Sequence, residues 1–418
     1  MPTDTQVLFI DVDELRVGLY IYLDLGWIEH PFAFNHFKIK SESQIETIRG
    51  LGLKHVRWSP ELSDLAPPVS DPKGPDQQIA PRPSTEQSRQ RLVEQQASLA
   101  RCEREFAQAA RTVRELFRLA PSHPDQVRER AQALAGSLVQ ELLSQNESCI
   151  RLLSEQAGEQ TALHSINVSV IALLLGQRLG LERTRLDQLV LGAVLHDIGK
   201  CQLPERVRWI DTSSSAAERK LFQRHVGEGI ELARRMQLDP EIVSIIAQHH
   251  EYVDGSGFPA HLSGEQMGEL GRIVSLVNHY DTLCNPANPV TAITPHQALS
   301  IMFAQSRDKF DANILAVFIR MMGVYPPGSV VVLSDGRYAL VVSVNSARPL
   351  KPSVIIHDPR VAREEAPVVD LEQTNGLCIQ RSIRPLQLPR PAFDYLLPRQ
   401  RICYFFERAR LHDADPAT

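Results

Sequence analysis

The 418-residue chain contains no run of about 18 uncharged apolar residues, so no transmembrane helix is expected. It lacks a basic segment followed by an apolar one near its start, where Asp4, Asp11, Asp13 and Glu14 stand instead, and this argues against a secretory signal. Its cysteines (Cys102, Cys149, Cys201, Cys284, Cys378 and Cys403) lie far apart and form no C-x-x-C pair. They read as reduced, mostly buried thiols of a cytoplasmic protein. Neither sign of charge dominates. Lys plus Arg number 45 against 50 for Asp plus Glu, a formal net charge of −5, which gives no general reason to bind nucleic acid or an anionic membrane. Aromatics are sparse at 6%. What is present is an ordinary globular composition, 43% hydrophobic and 23% charged. The length suits roughly two to four domains and a core that needs no disulfide or metal staple.

The character of the sequence changes along the chain. Residues 1–65 read as a small α+β module: Val7 to Ile10, Leu19 to Leu23 and His55 to Trp58 are short strand-like runs, and Ser43 to Leu51 has helical apolar spacing through Ile45 and Ile48. Residues 66–84 carry Pro67, Pro68, Pro72, Pro75, Pro81 and Pro83 and read as a linker, because proline removes the donor that a regular element needs. Residues 85–157 are rich in Gln, Arg, Glu and Ala, and Pro121 and Pro124 divide them into two helices, expected as a helical connector. Residues 158–325 hold long apolar helical runs. Within 326–405, Ser329 to Leu333 and Tyr338 to Val342 flank a turn at Asp335-Gly336, with Val354 to His357 as a third strand, so a small β extension is expected. The charged tail, 406–418, is expected to fray. The expected fold class is mainly α, with small strand-containing modules on either side.

The most informative segment runs from Leu189 through Val194-Leu195-His196-Asp197-Ile198-Gly199-Lys200. An apolar helix this uniform is buried, and polar groups at its end are unfavourable unless paired or bound to metal. Gly199 lets the chain turn so that Lys200 faces the same pocket. Other candidates emerge from neighbouring apolar helices: His164 at the start of Leu163 to Leu175, His225 after Lys220 to Arg224, His249 and His250 after Ile245-Ile246, and Asp281 after Ile273 to Val277. His261, His279 and His296 fall outside this pattern and are assigned to surface or core. Imidazole and carboxylate suit iron, manganese, cobalt, nickel or zinc. The set exceeds what one ion needs and fits two ions roughly 3.5–4 Å apart that share a carboxylate and a hydroxide. Such a pair activates water for in-line attack on phosphorus, and Lys200 adds a cation for the phosphate. This is the design of a phosphoesterase.

Residues 158–325 resemble the HD-GYP family, a branch of the HD superfamily of metal-dependent phosphohydrolases. The resemblance rests on His196-Asp197-Ile198-Gly199-Lys200, the His225 element, His249-His250-Glu251 and Asp254-Gly255-Ser256-Gly257-Phe258-Pro259. It implies an all-helical domain that hydrolyses cyclic di-GMP to pGpG and onward to GMP, with two divalent ions, iron or manganese foremost. By position, His164, His196, Asp197 and Asp281 resemble the ligands of one ion, and Asp197, His225, His249 and His250 those of the other, with Asp197 bridging. Asp197 and Lys200 are the expected catalytic pair, and Lys200, Asp254, Gly255, Gly257, Phe258 and Pro259 are expected beside the substrate. The resemblance also implies GGDEF-domain proteins as partners, and a homodimer is open to it. Residues 7–64 resemble a small domain of unknown function that precedes some HD-GYP domains, notably in Leu15 to Tyr20 and Pro31-Phe32. Residues 326–358 resemble the β extension that follows many of them.

This chain departs from the family pattern at three places. Phe258 replaces the tyrosine of Gly-Tyr-Pro. Gln160 stands where some members place a third-metal Glu, with Glu159 one residue off, so two ions are expected. After Asp281 the family has an Arg-Pro-Tyr stretch, whereas this chain has Asn285-Pro286-Ala287-Asn288-Pro289-Val290, without a cation. The alternative these departures raise is a degenerate member that binds cyclic di-GMP or a GGDEF partner without efficient hydrolysis.

Overall fold

The computed structural model of the chain describes residues 8–23, 36–39, 41–49, 51, 53, 55–60, 62–64, 85–144, 148–153, 160–211, 213–345, 351–374, 376–397 and 401–408. Pro31, Phe32, Glu159, the proline-rich stretch 66–84 and residues 409–418 lie outside these. The chain divides into two units, Met1–Arg82 and Pro83–Thr418.

In the first unit, β1 (Leu8–Asp11), β2 (Tyr20–Tyr22), β3 (His36–Lys38) and β4 (His55–Ser59) form an antiparallel sheet in the order β1-β4-β2-β3, with α1 (Glu42–Arg49) on it. Ile45 and Ile48 of α1 are buried with Ile10, Ile21, Val56 and Trp58, as the alternation along the strands and the helical spacing of the isoleucines require. Strand β3 has no signal in the sequence, since three residues are too few to show a period.

The second unit opens with α2 (Thr85–Leu119) and α3 (Pro124–Leu143), separated at Pro121 and Pro124, then β5 (Ser148–Leu153). The helices α4 (Gln160–Arg178), α5 (Arg183–Leu195), α6 (Ala216–Arg235), α7 (Pro240–Gln248), α8 (Glu269–Cys284), α9 (Pro295–Gln305) and α10 (Ala312–Met322) follow. Helix α4 is buried on every side from Thr161 to Gly176, which is why its sequence is apolar all round. Helix α6 is amphipathic and starts on a capping box between Ser215 and Glu218, and Pro240 starts α7 at its first turn. The chain then forms β6 (Val330–Leu333), β7 (Tyr338–Asn345), β8 (Ser353–Ile356), β9 (Val368–Asp370), β10 (Ile379–Ile383), α11 (Arg390–Leu396) and β11 (Cys403–Arg408). The β6–β7 hairpin turns at Gly336, whose φ of +82° suits glycine.

Two expectations need correction. Residues 85–157 are more than a connector: Phe106, Val113 and Leu116 of α2 and Val127, Leu138 and Leu142 of α3 share one core with α4, α5, α7 and α8. Within that stretch, Ser148 to Leu153 is a strand, paired on one side with β7 and on the other with β11. Residues 406–408 belong to β11 and do not fray. Tyr404, Phe405 and Phe406 are fully buried in the helical core, and Phe405 meets Phe106 edge to face with ring centres 6.4 Å apart. The β extension is thus joined to the helical domain by its last strand. Replacing Phe405 by Ala should lower the unfolding free energy by roughly 3–5 kcal/mol in a denaturant titration. A peripheral tail would show no such loss.

Candidate metal centre

Each polar side chain of the centre sits where an apolar element ends or is buried. His164 lies on α4 beside Leu163 and Ile166. Helix α5 ends at Leu195, and His196 continues its helical backbone, with φ −54° and ψ −36°. Asp197 then leaves that path, with φ −97° and ψ 8°, and starts a 3-10 turn over Ile198–Gln202 that carries Lys200. His225 comes from the middle of α6, and His249 and His250 follow the end of α7. His164, His196, Asp197, Lys200, His225, His249 and Asp281 are all buried, and His250 is half-buried.

The geometry centres on the Asp197 carboxylate. Its Oδ1 lies 3.4 Å from His225 Nε2 and 3.6 Å from His249 Nε2. Its Oδ2 lies 3.4 Å from His196 Nε2 and 3.6 Å from His164 Nε2. One oxygen therefore serves each pair of imidazoles. The rings are oriented from behind: Nδ1–H of His196, His225 and His249 donates to the carbonyls of Ala193, Phe222 and Ile246 at 2.7, 2.5 and 2.7 Å. Each bond comes from the residue three positions earlier, and it leaves the Nε2 lone pair aimed at Asp197. His225 Nε2 and His249 Nε2 face each other at 3.1 Å, and His196 Nε2 and His164 Nε2 at 3.2 Å. For His225 and His249, whose protons sit on Nδ1, two lone pairs facing at that distance call for a cation between them.

Ligand atoms of Asp197, His225, His249 and His250 lie within 4.8 Å of one another, as do those of His164, His196 and Asp197. Asp281 joins neither group. Its Oδ2 is 2.6 Å from His164 Nδ1, and its Oδ1 accepts from Asn167 and Asn285 at 2.8 and 2.9 Å. Among the described residues, Asp197 Oδ1 and His250 Nε2 are buried without a hydrogen-bond partner. Lys200 Nζ stands 2.6 Å from Asp197 Oδ2 as an ion pair. An orphaned oxygen and imidazole nitrogens aimed at one another form a donor set that divalent cations fit.

Burial sets the electrostatics. It pushes His196 down to about 4 and His225 to about 3, partly offset by Asp197, so both imidazoles are neutral and ready to donate a lone pair near neutral pH. Burial opposes the charge of Asp197, but the ammonium of Lys200 and then His196 outweigh it and hold the carboxyl well below its usual range.

The chain turns at Gly199, within the 3-10 turn, and the glycine also lets two backbones touch. A Cβ there would lie 2.0 Å from the His225 carbonyl and 2.4 Å from Gly229 N. Lys200 does face the centre, between Asp197 and the Trp209 ring, whose centre is 3.9 Å from Nζ. Trp209, also 5.6 Å from His164, was not singled out by the sequence. Its one signal is a lone tryptophan among the polar residues of a loop. Phe258 stacks on His250 with ring centres 4.4 Å apart, so the aromatic ring performs the packing without a hydroxyl. Its loop is pinned by Glu251, which accepts from the backbone of Ala260 and Leu262 at 2.6 and 3.0 Å. Gly257 has no room for a Cβ, which would lie 2.4 Å from Glu251 Cα, and Gly255 has φ +77°. Of the remaining histidines, His261 is exposed, His279 bonds Tyr252 at 3.0 Å, and His296 donates to the Val324 carbonyl at 2.7 Å.

Comparison with known proteins accords with this arrangement. Residues 111–314 match the HD domain family, residues 8–131 a domain of unknown function, DUF3391, and residues 330–390 a KOW domain associated with HD domains. A Pseudomonas aeruginosa protein, cyclic di-GMP phosphodiesterase PA4108, is 26% identical over 86% of this chain and 86% of its own length. The response regulator RpfG of Xanthomonas campestris, a cyclic di-GMP phosphodiesterase, is 31% identical over 37% of this chain and 41% of its own. The 3'3'-cGAMP-specific phosphodiesterase 2 of Vibrio cholerae is 28% identical over 40% of this chain and 32% of its own. Residues 111–314 are thus similar to the HD domain family, and the chain is similar to proteins named as cyclic di-GMP phosphodiesterases.

Two outcomes follow from this geometry. Gly199→Ala must part the turn from α6; it should destabilise the protein by roughly 1–3 kcal/mol and lower the bound metal per chain, read by elemental analysis. In the unfolded chain His196 and His225 titrate near 6.5, far above their folded values of about 4 and about 3. The unfolded state therefore binds more protons as the pH falls below 6.5, and stability drops. At pH 5 the metal-free protein should lose about 2 kcal/mol per imidazole relative to pH 8, in denaturant titrations at both values.

Proposed function

We propose that this chain is a two-metal cyclic di-GMP phosphodiesterase, opening the ring to pGpG and cutting that on to GMP. The observation that carries this reading is the single carboxylate of Asp197 held between two imidazole pairs, with Oδ1 facing only imidazole nitrogens and Lys200 paired with Oδ2. We assign His164, His196 and Asp197 to one ion, with Asp281 completing that side, and Asp197, His225, His249 and His250 to the other. Iron or manganese are the first candidates for imidazole and carboxylate donors. Bound there, the ions would activate a water and neutralise charge developing on phosphorus.

The chain's own residues supply the rest. The carbonyl bonds behind His196, His225 and His249 keep the lone pairs fixed before any ligand arrives, so little reorganisation accompanies binding. Lys200, 2.6 Å from Asp197 Oδ2, is within reach of a phosphate oxygen held at that carboxylate. Trp209, Phe222 and Phe258 lie around the centre: Phe222 is 4.6 Å from the His225 ring and 6.5 Å from Phe258, and Lys200 stands over the Trp209 and Phe222 rings. Asp254 to Pro259 form the loop on that side, held by the Phe258 N–H bond to the His250 carbonyl at 3.1 Å. The relatives named above act on cyclic dinucleotides, and the one spanning most of this chain acts on cyclic di-GMP.

The protein loaded with iron or manganese should convert cyclic di-GMP to pGpG and GMP, followed by chromatography. His196→Ala with Asp197→Ala should remove both the metal and the activity while the chain stays folded. Well-folded, metal-replete protein that forms no product with any of the candidate ions would overturn the reading.

A further inference from the structure

Beside the centre, on the His164 side, the structure holds a second polar site built by residue Ile402 and its neighbour. The Ile402 carbonyl accepts from Asn167 Nδ2 at 2.8 Å and from Asn285 Nδ2 at 3.0 Å, and its N–H donates to Asn285 Oδ1 at 2.8 Å. The same two amides donate to Asp281 Oδ1, and the Tyr404 N–H donates to Asn167 Oδ1 at 2.9 Å. The backbone ahead of β11 is therefore clamped to the carboxylate that meets His164.

That clamp delivers Arg401 to the start of α4, where its Nη2 donates to Gln160 Oε1 at 3.1 Å. Gln160 precedes His164 by four residues, about one helical turn, and so shares its face. Among the described residues, Arg401 Nη1 and Gln160 Nε2 are both buried with no hydrogen-bond partner. Both atoms are donors, and neither can accept. A buried guanidinium N–H and a buried amide N–H, left open on two side chains that bond each other, ask for an anionic oxygen. The stretch from Asp281 to Ile293 supplies no lysine or arginine to this side of the centre.

We propose that Arg401, with Gln160, binds the second phosphate of a cyclic dinucleotide, the one not being cut. This rests on the phosphodiesterase reading and deepens it. A cyclic dinucleotide carries two phosphodiesters. With one at Asp197 and Lys200, the other needs a second cation on the flank of the centre, and Arg401 stands there against Gln160, one helical turn before His164. The C-terminal β extension thereby contributes a binding residue to the helical site, and it does so from outside the segment where a cation after Asp281 is expected.

The test compares wild type with Arg401→Gln, Arg401→Lys and Gln160→Ala in the metal-loaded full chain, on cyclic di-GMP and on bis(p-nitrophenyl) phosphate, which has a single phosphodiester. Arg401→Gln should raise KM for cyclic di-GMP roughly 10- to 100-fold, with kcat and the KM for the small diester changed by less than about threefold. Arg401→Lys should recover part of the loss, and Gln160→Ala should show a smaller shift of the same kind. Calorimetric binding of cyclic di-GMP to the metal-free chain should weaken by a similar factor in Arg401→Gln, at unchanged melting temperature. Equal KM and Kd in wild type and Arg401→Gln would overturn the assignment of Arg401, as would equal losses on both substrates accompanied by lost metal or a lowered melting temperature. A wild type that neither binds nor cleaves cyclic di-GMP would instead remove the phosphodiesterase reading on which the subsite depends.

Discussion

A buried carboxylate with imidazole lone pairs on both sides is the constraint around which this protein is arranged. Taking Asp197 out of water is strongly unfavourable unless cations meet it. Lys200 provides one such charge, and the facing nitrogen pairs define positions for others. Nothing about that arrangement is local. The residues that make it come from α4, the end of α5, α6 and the end of α7, and they meet only because those helices pack tightly. Gly192 against Ile245, Gly199 against the His225 carbonyl and Gly271 against Gln248 mark contacts in which even a methyl group has no room. The same close packing that forms the core therefore sets where these side chains meet.

The polar groups behind the ligands come from two sources. Three imidazoles bond the carbonyl one turn earlier on their own helix, so helix geometry itself orients them. His164 differs: Asp281 meets its Nδ1, and Asn278 lies 2.9 Å from its Nε2. Asp281 is in turn held by Asn167 and Asn285, which also hold the chain entering β11. One side of the centre is thus fixed by helices alone, and the other is coupled to the C-terminal sheet.

Much of this is legible in the sequence. The apolar runs that predict α4, α5, α7 and α8 do so because burial on every side leaves no polar face, and the polar residues interrupting them stand out for the same reason. The β6–β7 hairpin is announced by Asp335-Gly336 between two runs of branched residues. What the sequence does not show depends on distant partners. Ser148 to Leu153 follows two helices and becomes a strand only because β7 and β11 flank it. Phe406 to Arg408 looks like the start of a charged tail, but it continues β11, whose Phe405 meets Phe106. Asn167 and Asn285 resemble ordinary helix polar residues, and their role appears only when Ile402 lies between them. Gly199 is visible as a glycine, but the reason for it, a backbone from another helix, is not.

The pairing of β11 with β5 also bears on how the protein is made. Asn167 and Ile402 are 235 residues apart, and a ribosome adding about 5–20 residues per second takes roughly 10–50 s to cover that distance. In the last part of that interval, once Asp281 has been made, the histidines are present in the nascent chain but the clamp on Asp281 has not formed. The His164 side of the centre therefore reaches its clamped form only after the last strand is translated.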